Sequence, residues 1–168
     1  MTRLRTTAVI DELAAHLHEQ RKLVEYLLFK LVEARLLLSS NQASFVPIAM
    51  AEIESVLEGI RNAEYRREAL LDRLSSDWNV PTSQLTLGYI AERAPEPYDE
   101  IFADHRDGFM TLVDKVEDVT RDNQRLATAG LGRVRSALSG LVDDTPTYGR
   151  EGRIEPVESQ PLSHDRVI

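Results

Sequence analysis

The sequence predicts an all-α fold: an elongated antiparallel helical bundle or coiled coil of three long helices plus a short connecting helix, ending in a flexible carboxy-terminal tail. Three observations carry that prediction. Apolar residues recur at alternating spacings of three and four through positions 10–38, again through 49–74, and again through most of 102–141, which is the pattern of a helix with one buried face. A polar break at Ser39, Ser40, Asn41 and Gln42 separates the first two stretches, and a connector holding Pro95 and Pro97 precedes the last. From residue 143 the composition turns to scattered charges, glycines and Pro146, Pro156 and Pro161, so the expected domain is 1–142 and the expected tail 143–168.

The first helix is expected to start at Thr6 or Thr7, where a threonine can cap it and Asp11 and Glu12 fall in the early turns. Its seam runs Ile10, Leu13, Leu17, Gln20, Val24, Leu27, Leu31, Ala34, Leu38, a heptad pattern suited to packing along another helix. Leu23, Leu28, Val32, Leu36 and Leu37 form a second stripe beside it, which implies two neighbours. The apolar window 23–38 is interrupted by Glu25, Lys30, Glu33 and Arg35, so it makes a poor membrane span.

Pro47 suits the first turn of the second helix, where its missing amide hydrogen matters least. The seam there reads Ala49, Ile53, Val56, Ile60, Ala63, Arg67, Leu70, Leu74, and the short connection favours an antiparallel hairpin with the first helix. Arg67 is the misfit, and its aliphatic stem can lie on the seam with its head in water. Asp77, Trp78, Asn79, Val80 and Pro81 end that helix, after which Thr82 or Ser83 is expected to cap a short one through Leu85, Leu87, Tyr89 and Ile90.

The third long helix is expected over 98–142, about 65 Å at about 1.5 Å per residue. Its face reads Phe102, Phe109, Leu112, Val116, Val119, then Asn123, Ala127, Leu131, Val134, Leu138 and Leu141. Asp99, Glu100, Asp104 and Asp107 crowd its beginning and Arg125, Arg133 and Arg135 its later turns, the order the helix dipole favours. Gly130, Gly132 and Gly140 each cost about 1 kcal/mol relative to alanine in a helix. They make the last turns the weakest.

A net charge of -8 with no cluster of Lys or Arg among aromatics disfavours binding to nucleic acid, whose affinity comes from concentrated positive charge. The absence of cysteine removes disulfides, thiolate metal sites and cysteine nucleophiles together. Nothing near Met1 resembles a signal peptide, and the expected location is the cytoplasm, without stable membrane insertion. His16 and His18, the only close histidine pair, point to different sides of a helix and cannot share a metal as residues four apart can. The Gly130, Leu131, Gly132 run sits in a helix rather than after a strand, so it is no phosphate loop. No catalytic, cofactor or metal constellation emerges, and an enzyme is not expected.

Beyond these physical signals, the chain resembles the FlgN family of flagellar export chaperones over residues 10–152. The likeness lies in the second-helix ending RREALLDRLSSDW, the segment QLTLGYIAE, and above all VTRDNQRLATAGLGRVRSALSGL followed by TPTYGREGR. The resemblance implies a cytoplasmic chaperone of type III export. It would bind the carboxy-terminal helical segments of hook-filament junction proteins, prevent their premature assembly and deliver them to the flagellar export apparatus. Carried across, the client-binding residues would be Asn123, Leu126, Ala127, Leu131, Val134, Leu138 and Leu141, with Tyr148 as a docking contact for the export apparatus. Gly130 and Gly132 depart from the leucine- and alanine-rich pattern expected there, which leaves the binding register open. By periodicity alone, each of these apolar residues suits the protein's own core more than a partner, so the binding assignment rests on the resemblance. The heptads would equally support a structural, self-associating coiled-coil protein, and a homodimer is left open.

Overall fold

The unbroken seam of the first helix folds as α1, Thr2–Ser39. It begins earlier than the expected Thr6 or Thr7, because neither proline nor glycine stands in residues 2–5 to stop it. The computed structural model describes the backbone of residues 2–143 and the side chains of residues 6–136 and Leu138. On α1, Ile10, Leu13, Leu17, Gln20, Leu27 and Ala34 are buried, with Val24, Leu31 and Leu38 half-buried. The second stripe is half-buried except at Leu36, which is exposed.

The polar break forms a turn in which Ser40 N and Gln42 N bond Leu36 O at 3.0 Å and Leu37 O at 2.9 Å. Asn41 takes the left-handed conformation, φ 59°, which its short polar side chain tolerates. A single 3-10 turn, Ala43–Phe45, leads into α2, Val46–Trp78, with Pro47 in the first turn as expected. Ala49, Ile53, Val56, Ala63, Leu70 and Leu74 are its buried residues. Asn79 closes α2 in the left-handed region, φ 53°.

The cap of the short helix differs from expectation. Thr82 and Ser83 lie in a 3-10 turn, Thr82–Gln84, and α3 is Leu87–Arg93, capped by Thr86, whose hydroxyl accepts from Tyr89 N at 3.2 Å. Thr82 is otherwise engaged: its hydroxyl donates to Asp72 Oδ1 of α2 at 3.1 Å. The connector through Pro95 and Pro97 then gives way to α4, Tyr98–Asp143, with Asp99 and Glu100 in its first turn.

Side-chain links give the helix directions. Between α1 and α2, Glu12 meets Arg73, His16 meets Ala63 O and Lys30 meets Glu52, so the partner number falls as the α1 number rises. That is antiparallel packing. Between α1 and α4, Asp11 accepts from Tyr98, Arg21 donates to Asp104 and Leu31 O accepts from Asn123, and both numbers rise together. α1 thus has the two neighbours that its two stripes imply.

Among the described residues, two apolar clusters form the core. One gathers Val9, Ile10, Leu13, Leu17, Leu70, Leu74, Leu85, Ile90 and Phe102, and the other Leu27, Ala34, Ala49, Ile53 and Val56 with Val116 against them. Each fully buried large apolar side chain contributes about 1.5–3 kcal/mol. In sequence, a polar layer falls between the clusters: Gln20 Nε2 donates to Glu64 Oε2 at 3.0 Å, and Arg67 Nε donates to the same oxygen at 3.1 Å. The seam misfit Arg67 therefore holds its head on Glu64, where it satisfies a carboxylate beside the buried Gln20. Burial pushes the Glu64 carboxyl up, but the hydrogen bonds from Arg67 and Gln20 outweigh it and hold the group below its ordinary value.

Among the described residues no strand occurs, and no helix is long and apolar enough to cross a membrane. By Cα packing the chain divides into two units, Met1–Ala129 and Gly130–Ile168. The core just described belongs to the first. In the second, α4 is described as far as Asp143, and most of the expected tail, including Tyr148, lies outside the described residues.

Candidate functional site

The candidate site is the apolar face of α4, and its residues fall into two groups by exposure. Phe102, Leu112 and Val119 are buried, with Phe109 and Val116 half-buried. Farther along the same periodic stripe, Leu131 is 72%, Val134 58% and Leu138 57% exposed. Ala127 is exposed as well, and Leu126 is half-buried. Leu141 is in the helix, but its side chain and all of Tyr148 are outside the described residues.

Asn123 marks the change. Its Nδ2 donates to Leu31 O of α1 at 2.9 Å, while its Oδ1 is buried without a hydrogen-bond partner. Next to it, Asp122 lies 3.7 Å from Arg35 of α1 and 3.7 Å from Arg125. Of the residues that the resemblance assigns to a client, Asn123 is therefore engaged with α1, whereas Leu131, Val134 and Leu138 share one open stripe at helical spacing.

Glycine has opposite surroundings in the two parts of α4. A Cβ added at Gly108 would lie 2.5 Å from Arg21 Cζ, because that guanidinium crosses the helix surface there on its way to Asp104, 2.8 Å away. A Cβ at Gly130 or Gly132 would meet nothing within 4 Å. Gly108 serves a close approach of α1, whereas Gly130 and Gly132 only lower the helix propensity of the open stretch.

His105, one turn beyond Phe102, is 6% exposed and its Nδ1 has no hydrogen-bond partner. Burial pushes its pKa below the ordinary histidine value, the Arg21 charge adds to that, and Asp104 opposes it. Its ring lies 6.4 Å from that of His18 on α1 and 6.3 Å from Phe109. It packs at a helix interface rather than in a reactive cleft.

A cavity of about 640 Å³ is lined by Leu71, Leu85, Leu87, Phe109 and Met110 together with Arg67, Arg106 and Asp114. Among the described residues no three His, Cys, Asp or Glu side chains converge as a metal site. Chemically, the open stripe of α4 can bury apolar side chains of a partner helix at matching spacing.

Sequence reasoning found the stripe and its periodicity but missed three engagements. The Arg21 crossing at Gly108 had one available signal, a glycine inside an otherwise strong helical pattern. Lys30, buried on α1 between Glu33 and Glu52, had another, an acid three residues along. The Asn123 bond to Leu31 O had none, because a backbone acceptor on a distant helix leaves no trace in sequence.

A protein-family model described as FlgN protein matches residues 1–156 of the chain. No curated protein and no solved structure matches it.

Proposed function

Since the chain belongs to the FlgN family, a family of flagellar export chaperones, we propose that it binds the carboxy-terminal helical segments of hook-filament junction proteins in the cytoplasm, keeps them from assembling early and hands them to the flagellar export apparatus. The binding face is the stripe of Leu131, Val134, Leu138 and Leu141, entered from Asn123, Leu126 and Ala127, with Tyr148 as the contact for the export apparatus. The single observation that supports this reading is the exposure of Leu131, Val134 and Leu138 on one helical stripe. Large apolar side chains left in water at that spacing suit an amphipathic helix, and covering a client's own assembly surface is what a chaperone must do. Gly130 and Gly132 suit the same role, because a helix with weak turns can adjust its register as the client docks.

Size exclusion and calorimetry with a junction-protein carboxy-terminal segment test the proposal. A defined soluble complex is expected, and the double substitution Leu131→Asp and Leu138→Asp is expected to weaken it about 100-fold or more, given about 1.5–3 kcal/mol per buried leucine. A folded double variant that keeps the client would sink the proposed face. Self-association in place of a client complex, abolished by the same substitutions, would assign the stripe to a second copy of the chain.

A further inference from the structure

We propose that the turn end of the α1–α2 hairpin carries a second docking surface, built to take a basic amphipathic helix of a partner protein. It uses residues separate from the α4 stripe and does not depend on that assignment.

The surface is continuous. Tyr26 and Phe29 of α1 stack at 6.2 Å and are 48% and 58% exposed. Lys30 lies 5.6 Å and 5.5 Å from their ring centroids. The same ammonium donates to Glu52 at 2.7 Å and Glu33 at 2.9 Å. Those two carboxylates hold its pKa above the ordinary lysine value, Glu52 first and Glu33 next. Glu33 and Glu52 in turn line a cavity of about 240 Å³ with Leu37, Phe45, Ile48 and Ala49. Phe45 and Ile48 are 51% and 59% exposed. Two aromatics, a held lysine, two carboxylates and an apolar cavity therefore form one patch.

Two features select the occupant. Among the exposed apolar side chains, Tyr26 and Phe29 are stacked under a lysine that is itself held by two carboxylates. Such preorganised apolar surface is what anchors a partner's side chains. The charge then sets the partner's sign. Glu33 and Glu52 each use Oε2 on Lys30, and no described hydrogen bond engages either Oε1. Two carboxylates against one lysine leave the patch acidic on a chain of net charge -8. A helix with an apolar stripe for the cavity and the rings, flanked by lysine or arginine for the open carboxylate oxygens, matches both features.

The test uses the full chain and two labelled synthetic helical peptides, read by fluorescence anisotropy. One has leucines at i, i+3 and i+7 flanked by lysines, and its twin has glutamates in place of the lysines. The lysine peptide is expected to bind at least tenfold tighter than the twin. Phe29→Ser with Ile48→Ser, both exposed positions, is expected to abolish binding with the circular dichroism unchanged. Glu33→Gln with Glu52→Gln is expected to weaken it at least fivefold, while Glu117→Gln with Asp118→Asn, which changes net charge equally elsewhere, leaves it unchanged. Equal loss in both charge variants would reduce the binding to general attraction and overturn the proposal. So would loss of the lysine peptide on Leu131→Asp with Leu138→Asp, which would move it to α4. Self-association of the chain alone, abolished by Phe29→Ser with Ile48→Ser, would also overturn it by giving the patch to a second copy.

Discussion

Along α4, the residues from Phe102 to Val119 and those from Leu131 to Leu138 obey the same helical spacing yet differ in fate. Phe102 is fully buried and Leu112 and Val119 nearly so, whereas Leu131, Val134 and Leu138 remain more than half exposed. Even glycine differs, with Arg21 crowding Gly108 and empty space over Gly130 and Gly132. An apolar stripe on a helix is thus only an offer of surface. In one part the fold takes it up, and in the other it stays available, which is the physical condition for binding something else.

Truncating the buried part should have the greatest consequence for stability. Phe102→Ala should lower unfolding free energy by about 3–5 kcal/mol in denaturant titration, because it empties a fully buried aromatic site. An effect below 1 kcal/mol would mean that the first stripe is not core. The open part responds to propensity instead. Gly130→Ala with Gly132→Ala should stabilise the late turns of α4 by about 1 kcal/mol per substitution, since the added methyls meet nothing. Hydrogen exchange localised to residues 126–138 would register the slowing. Gly108→Ala should give no such gain, because the methyl must displace Arg21 from its place against Asp104.

At the change of regime, Asn123→Ala removes the donor to Leu31 O and should cost about 1 kcal/mol of stability. No loss would mean that this bond does not hold α4 to α1. His105 adds a pH dependence to the buried part only. Its folded pKa lies below the unfolded one, so the stability it permits is present above the ordinary histidine pKa and is lost as pH falls through the depressed value. Urea midpoints measured between pH 7.5 and 5 should therefore decline, and His105→Leu should flatten that decline. The facing groups, Arg21 and His18 from α1 and Asp104 from α4, stay in place in that variant. The smallest stability effect belongs to Leu131→Asp with Leu138→Asp, within about 0.5 kcal/mol of the parent as for other exposed substitutions. A large destabilisation there would erase the contrast between the two parts of α4.

Much of this architecture was legible in one dimension. The existence and facing of α1, α2 and α4, the hairpin turn, Pro47 in the first turn of α2 and the start of α4 after the Pro95 and Pro97 connector all follow from spacing and from residues whose backbone preferences are local. The cap of α3 was less legible, because several hydroxyls were available in a row. Thr86 holds the cap, while the Thr82 hydroxyl bonds Asp72 of α2. Nor could spacing foresee that Arg67 would complete a polar layer with Glu64 and Gln20.

The chain by itself determined which residues form helices and which face of each is apolar, since hydrogen bonding at i and i+4 and side-chain periodicity are properties of a single strand of sequence. Only the tertiary structure decided how much of each face is covered. Burial needs a second surface at the right place, and nothing in the periodicity of residues 102–141 says where that surface is met and where it is missing. The division between Val119, buried, and Leu131, open, with Asn123 bonded to α1 between them, is therefore a fact of packing.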